Sequence, residues 1–212
     1  MAAGPDALTA GPGRFARASE RWWLYGVGMV HVILGRKRAA LATYERILAL
    51  RPRGTSALAT VGNLRAELGD ADGAIAAFRG LTTMEPANAE GWFNLGYLLE
   101  KKDELDEAEA CFRRAVELKP SLDLAWYGLG LVLIREHRLE DAVHALKRNT
   151  ELQPFSPYGW YQLAMTYHHL GRSAEARRIY DSLRRFEPRY AATLLRDMQS
   201  TTPAPPWSEP CP

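Results

Sequence analysis

The chain has 212 residues, 47% hydrophobic and 25% charged, with a formal net charge of +2. That length can bury a real core as one sizeable domain or two small ones, and the even charge balance gives no reason to expect a nucleic acid or an anionic membrane as partner. No run of the sequence approaches the ~18 consecutive apolar residues of a membrane span.

In chain order, residues 1–20 are rich in Ala and Gly with scattered Pro and read as a flexible leader. An apolar run follows over 22–34, WWLYGVGMVHVIL. Arg14, Arg17 and Arg21 precede it, as basic residues precede a signal-peptide core, but Arg36, Lys37 and Arg38 stand where a cleavage site needs small side chains. The run is also too short to cross a bilayer, so a domain helix is expected, and the cytoplasm is the expected compartment.

Beyond it the chain repeats. Trp92, Trp126 and Trp160 are 34 residues apart and divide the sequence into units at 21–54, 55–88, 89–122, 123–156 and 157–190. Near the end of each stands Pro52, Pro86, Pro120, Pro154 or Pro188. Twelve residues earlier stands Ala40, Ala74, Ala108, Ala142 or Ala176, and twelve before that Gly28, Gly62, Gly96, Gly130 or Ala164. Two helices cross closely only where neither presents a bulky side chain, so these small residues mark the crossing point of a helical hairpin. Gly35, Gly69 and Gly171 supply the left-handed turn between the helices, and Asp103 and His137 take that place in the third and fourth units. Each proline closes a second helix. Ten antiparallel helices in five hairpins are the expectation. Residues 191–200 form a capping helix, and 201–212, with five prolines, a disordered tail in which Trp207 is a candidate to dock elsewhere on the protein.

The third unit, with Trp92, Leu95, Gly96, Leu99, Ala108, Phe112, Ala115 and Pro120, resembles the tetratricopeptide repeat at nearly every signature position. Leu24 and Leu58 replace the tryptophan in the first two units, and His31 and Arg65 replace a large apolar residue. The resemblance implies an all-α, right-handed α-solenoid whose inner wall is lined by the first helix of each pair and binds an extended or helical segment of another protein.

On that wall the expected partner-binding groove comprises Phe93, Tyr97, Tyr127, Leu131, Arg135, Tyr158, Tyr161, Met165, His168 and His169, with Phe93, Tyr127 and Tyr161 in equivalent places as a ladder. Tyrosine brings large contact area and a polar tip at low entropic cost; packing between neighbouring first helices is the alternative for the same three rings. Lys101, Arg135 and the two histidines would add a preference for acidic or polar ligands. A second interface is expected at Trp22, Tyr25, Met29, Val32 and Ile33, an apolar strip that a soluble monomer does not ordinarily leave bare. The leader, a second copy of the chain or a membrane are candidates to cover it, with a protein contact favoured.

No catalytic set is visible, and no metal or cofactor is expected. His168 and His169 are adjacent, so their side chains diverge by about 100° and do not chelate one ion. Cys111 and Cys211 are too few for a disulfide framework, and Cys111 reads as a small packing residue. A carboxylate clamp of the kind some tetratricopeptide domains use fails, because Ala59, Leu124 and Gly128 hold its basic positions. The function expected is therefore a non-catalytic scaffold or assembly factor. A membrane-associated co-chaperone and a regulatory subunit of an enzyme complex are the alternatives. Asn149 stands where the other units have Ile47, Leu81, Ala115 and Leu183; left unpaired, its amide would make Asn149→Ala neutral or stabilising.

Overall fold

A computed structural model of the chain describes residues 13–200. Among them all regular structure is helical: α1 (Gly13–Ile33), α2 (Lys37–Leu50), α3 (Thr55–Glu67), α4 (Ala71–Met84), α5 (Ala89–Lys101), α6 (Leu105–Leu118), α7 (Asp123–Arg135), α8 (Leu139–Leu152), α9 (Pro157–His169), α10 (Ser173–Phe186) and α11 (Pro188–Ser200). The helices pair as successive antiparallel hairpins, the fold of an all-α repeat solenoid. The chain divides into two compact units, Met1–Pro86 with α1–α4 and Ala87–Pro212 with α5–α11.

Each hairpin is built on the same crossing. Ala40, Ala74, Ala108, Ala142 and Ala176 are all fully buried. Opposite the small residues of the first helices lie large ones of the second: a Cβ on Gly28 would stand 2.9 Å from Tyr44, on Gly62 2.8 Å from Phe78, and on Gly130 2.7 Å from Leu146. The turn between the helices is also the same five times. Gly35, Gly69, Asp103, His137 and Gly171 all have φ between 59° and 85°. After each of them a main-chain N–H donates back across the turn: Arg36 to His31, Asp70 to Arg65, Glu104 to Leu99, Arg138 to Leu133 and Arg172 to Tyr167, at 2.9–3.0 Å. These bonds satisfy carbonyls that the helix end would otherwise orphan.

Two departures from the sequence reading concern the ends. Helix α1 begins at Gly13, inside the stretch expected to be a leader, because the segment following Gly13 is composed of good helix formers such as Ala and Arg. Residues 1–12 and the tail at 201–212, with Trp207 and Cys211, lie outside the described residues. Pro188, expected to close α10, also opens α11, where its missing N–H costs no helical bond.

The third departure is Asn149. It is buried, 5% exposed, and it is paired: Nδ2 donates to the main-chain oxygen of Asp123 at 2.9 Å. Its Oδ1 fills the space beside Gly159, where a Cβ would overlap it. One amide thus joins α8 to the start of α7 and sets the close approach of α9.

Candidate functional site

In the unit from Ala87 to Pro212, α5 packs on α7 and α7 on α9. Phe93 turns toward the interior, its ring 6.1 Å from that of Phe112. Tyr97 stacks on Phe93 at 6.4 Å with planes 27° apart, remains exposed, and carries Lys101 Nζ 4.5 Å above its ring. Leu131 is half-buried on α7. Arg135 reaches back to the end of α5, with Nη1 2.7 Å from Glu100 Oε1 and Nη2 against the Asp103 carboxylate. Its charge is therefore balanced within the fold.

Tyr127 is half-buried, and burial raises the pKa of its hydroxyl while the Gln162 amide opposes that by hydrogen bonding. Tyr161 donates to Asp197 Oδ2 at 2.6 Å. Burial first, and the Asp197 carboxylate second, push its hydroxyl up to about 12. Tyr158 is 58% exposed and meets Tyr190 edge-on at 5.5 Å. Met165 packs against the core shared by α8–α11.

Phe93, Tyr127 and Tyr161 thus occupy equivalent places, but each is half-buried against a different neighbour. The large hydrophobic side chains exposed on this face are Tyr97, Leu124 and Tyr158, beside the exposed Lys101 and Arg135. The sequence reading placed both histidines on the wall. In the structure α9 is packed by α8, α10 and α11, and His168 is only 7% exposed. His169 is half-buried, its ring 6.0 Å from that of His168. Burial lowers its pKa, and His168 lowers it further.

In the first unit, Trp22 is 72% and Ile33 75% exposed, and Met29 and Val32 are exposed as well. Tyr25 instead turns edge-on to Tyr44 at 6.0 Å, with its hydroxyl 3.4 Å from Ser56 Oγ. The adjoining stripe of α1 is bare as well: Trp23 and Val30 are exposed, and so is Leu34 just past the helix. Trp23, Gly26, Val27, Val30 and His31 line a shallow depression of about 320 Å³. The signal was in the sequence, since 22–34 contains no Asp, Glu, Lys or Arg.

Two further clefts were not foreseen. One, of about 270 Å³, lies among α6, α7 and α8 and is lined by residues including Arg113, Glu117, Trp126 and His144. The other, of about 430 Å³, is lined by residues including Lys147, Glu151, Trp160 and Arg178 of α8, α9 and α10. Every lining residue of the second stands 34 positions after one of the first. The tryptophans are fixed alike, Trp126 Nε1 donating to Pro120 O and Trp160 Nε1 to Pro154 O, both at 2.9 Å.

Among the described residues no group of three or more His, Cys, Asp or Glu is arranged to hold a metal ion, and no helix is long and apolar enough to cross a membrane.

Residues 66–187, more than half of the chain, match the family model of the Cilia and flagella-associated protein 70 middle TPR-like domain, and residues 25–80 match a tetratricopeptide-repeat model. No curated protein matches the sequence significantly. Among solved structures, the MamA protein superposes with a TM-score of 0.74 at 21% identity, over 81% of this chain and 94% of that one. MamA 41-end from Desulfovibrio magneticus RS-1 gives 0.72 at 18% identity, over 84% and 96%. YrrB, described as a TPR protein with an unusual peptide-binding site, gives 0.72 at 22% identity, over 82% and 90%.

Proposed function

The chain belongs to the tetratricopeptide-repeat family, and we propose that it acts as a non-catalytic interaction scaffold or assembly factor, binding a peptide or helix of a partner protein along α5, α7 and α9. The observation that carries this reading is the exposure of Tyr97, Leu124 and Tyr158, the large hydrophobic side chains left in solvent on these first helices. Large apolar and aromatic side chains left in solvent on a rigid scaffold gain free energy when a partner covers them. The peptide-binding site of YrrB, a protein of the same fold, supports a peptide as the class of ligand.

The chemistry of the face favours an apolar ligand with a polar edge. Arg135 is committed to Glu100 and Asp103, so Lys101 over the Tyr97 ring is the cation that meets an acidic side chain of the ligand. Acting as a regulatory subunit of an enzyme complex would use the same surface. The apolar α1 is a second contact surface, in the other unit.

The test is a paired affinity capture from native lysate, with wild type as one bait and Tyr97→Ala/Leu124→Ala/Tyr158→Ala as the other. All three positions are exposed, so circular dichroism of the variant should match wild type. Proteins retained by wild type and lost by the variant would support the proposal. An identical set on both baits would remove this face from consideration.

A further inference from the structure

Helix α1 breaks the repeat register on the face where the later first helices meet the second helix before them. The third position of the repeat holds Ala57 in α3, Ala125 in α7 and Gly159 in α9, all buried. At Gly159 there is no room even for a Cβ beside Asn149. The same position in α1 is Trp23, 63% exposed. The tenth position is buried as Leu64 and Val132 but bare as Val30. Trp23 thus presents a bulky indole where these later first helices present a small side chain to their neighbour.

The adjoining arc is apolar as well. Ile33 stands where the later units have Glu67, Lys101, Arg135 and His169. At 100° per residue, Val32, Met29, Trp22, Ile33, Val30 and Trp23 form one continuous surface without a charge. So wide an exposed apolar face marks a contact surface. Its charged surroundings are one-sided. Between Glu20 and Glu45 there is no acidic residue, while Arg21, Arg36, Lys37 and Arg38 are basic. Glu20 is neutralised by Arg46, and Lys37 lies 2.9 Å from Glu67. Arg36 and Arg38 are exposed and meet no acid among the described residues.

We infer that α1 docks the chain on an anionic lipid bilayer, lying in the plane of the interface with Trp22, Trp23, Met29, Val30 and Ile33 at the acyl boundary and Arg36 and Arg38 among the headgroups. Leu24 and Gly28, buried on the other side of α1, tie the hairpin to the helix. A lipid surface adapts to the bulk of Trp23, and anionic headgroups complement the basic flank. The helix does not span, because its apolar run is too short. This surface goes beyond the peptide-binding reading and does not depend on it.

The test is flotation of the full chain with vesicles of phosphatidylcholine containing phosphatidylglycerol, against phosphatidylcholine alone. Wild type should float with the anionic vesicles and be released by salt. Arg36→Gln/Arg38→Gln should weaken partitioning about thirtyfold. Trp22→Ser/Ile33→Ser, at exposed positions that leave the fold intact by circular dichroism, should weaken it by about tenfold or more. Wild type remaining unbound overturns the inference. If it then also sediments as a dimer that Trp22→Ser/Ile33→Ser converts to monomer, a second copy covers the helix. If flotation appears only after deletion of residues 1–12, that segment is the cover, and the inference is likewise overturned.

Discussion

Asn149 Nδ2 donates to the main-chain oxygen of Asp123 at 2.9 Å, and the same side chain fills the space that Gly159 leaves open. This reverses the expectation drawn from an unpaired amide. Asn149→Ala removes a buried hydrogen bond and leaves a void, at a cost of about 1–2 kcal/mol. In a domain of this size that lowers Tm by about 3–6 °C, measurable by thermal denaturation followed by circular dichroism. An unchanged or raised Tm would mean that the bond contributes nothing.

Helix α1 offers a comparison within one element. Gly26 has open space where a Cβ would stand, whereas at Gly28 a Cβ would stand 2.9 Å from the Tyr44 ring. Gly26→Ala should stabilise by about 0.5–1 kcal/mol through helix propensity. Gly28→Ala should destabilise by about 1–3 kcal/mol through overpacking. Urea denaturation of the two variants checks both signs.

The contrast also shows what the sequence makes legible. The crossing of two helices forces small residues at fixed spacing, so Ala40 through Ala176, the five prolines and even the left-handed Asp103 and His137 could be read from the chain. Asn149 could not, because its partner is a main-chain oxygen 26 residues away and carries no side-chain signature. His168 and Tyr161 illustrate the same limit at the candidate site. Helical spacing puts a residue on a face, but the neighbouring helices decide whether that face is covered: Tyr161 meets Asp197 of α11, and His168 sits on a helix packed by α8, α10 and α11. The twin clefts at Trp126 and Trp160 follow from the 34-residue repeat that the tryptophans mark.

Tyr161 should titrate abnormally. Its hydroxyl is pushed up to about 12, first by burial and then by the Asp197 carboxylate, from an ordinary value of 10.0. A folded-state pKa above the unfolded one gives stability that is whole below pH 10.0 and is lost as pH rises through about 12. Asp197→Asn removes the negative charge and should move the ionisation back toward the ordinary value. Ultraviolet difference titration of the tyrosinate band in wild type and variant reads the shift directly. Superimposable curves would show that Asp197 has no influence on Tyr161.

His169 predicts the opposite end of the pH profile. Its pKa is lowered by burial and then by His168, so the unfolded chain binds a proton more readily than the folded one. Stability should therefore fall as pH drops below 6.5, the ordinary histidine value. His169→Gln should flatten that slope in a series of thermal melts between about pH 5 and 8. A slope unaltered by the substitution would assign the acid sensitivity to other groups.

The most direct measurement for ligand binding along α5, α7 and α9 is site-specific photo-crosslinking. A photoreactive phenylalanine is placed at Tyr97 in one chain and, in another, at His144 in the cleft beside Trp126, where the rings are 6.0 Å apart. The account predicts that a captured partner crosslinks at position 97 and not at position 144. Crosslinking at 144 alone would move binding to the cleft among α6, α7 and α8 and contradict it.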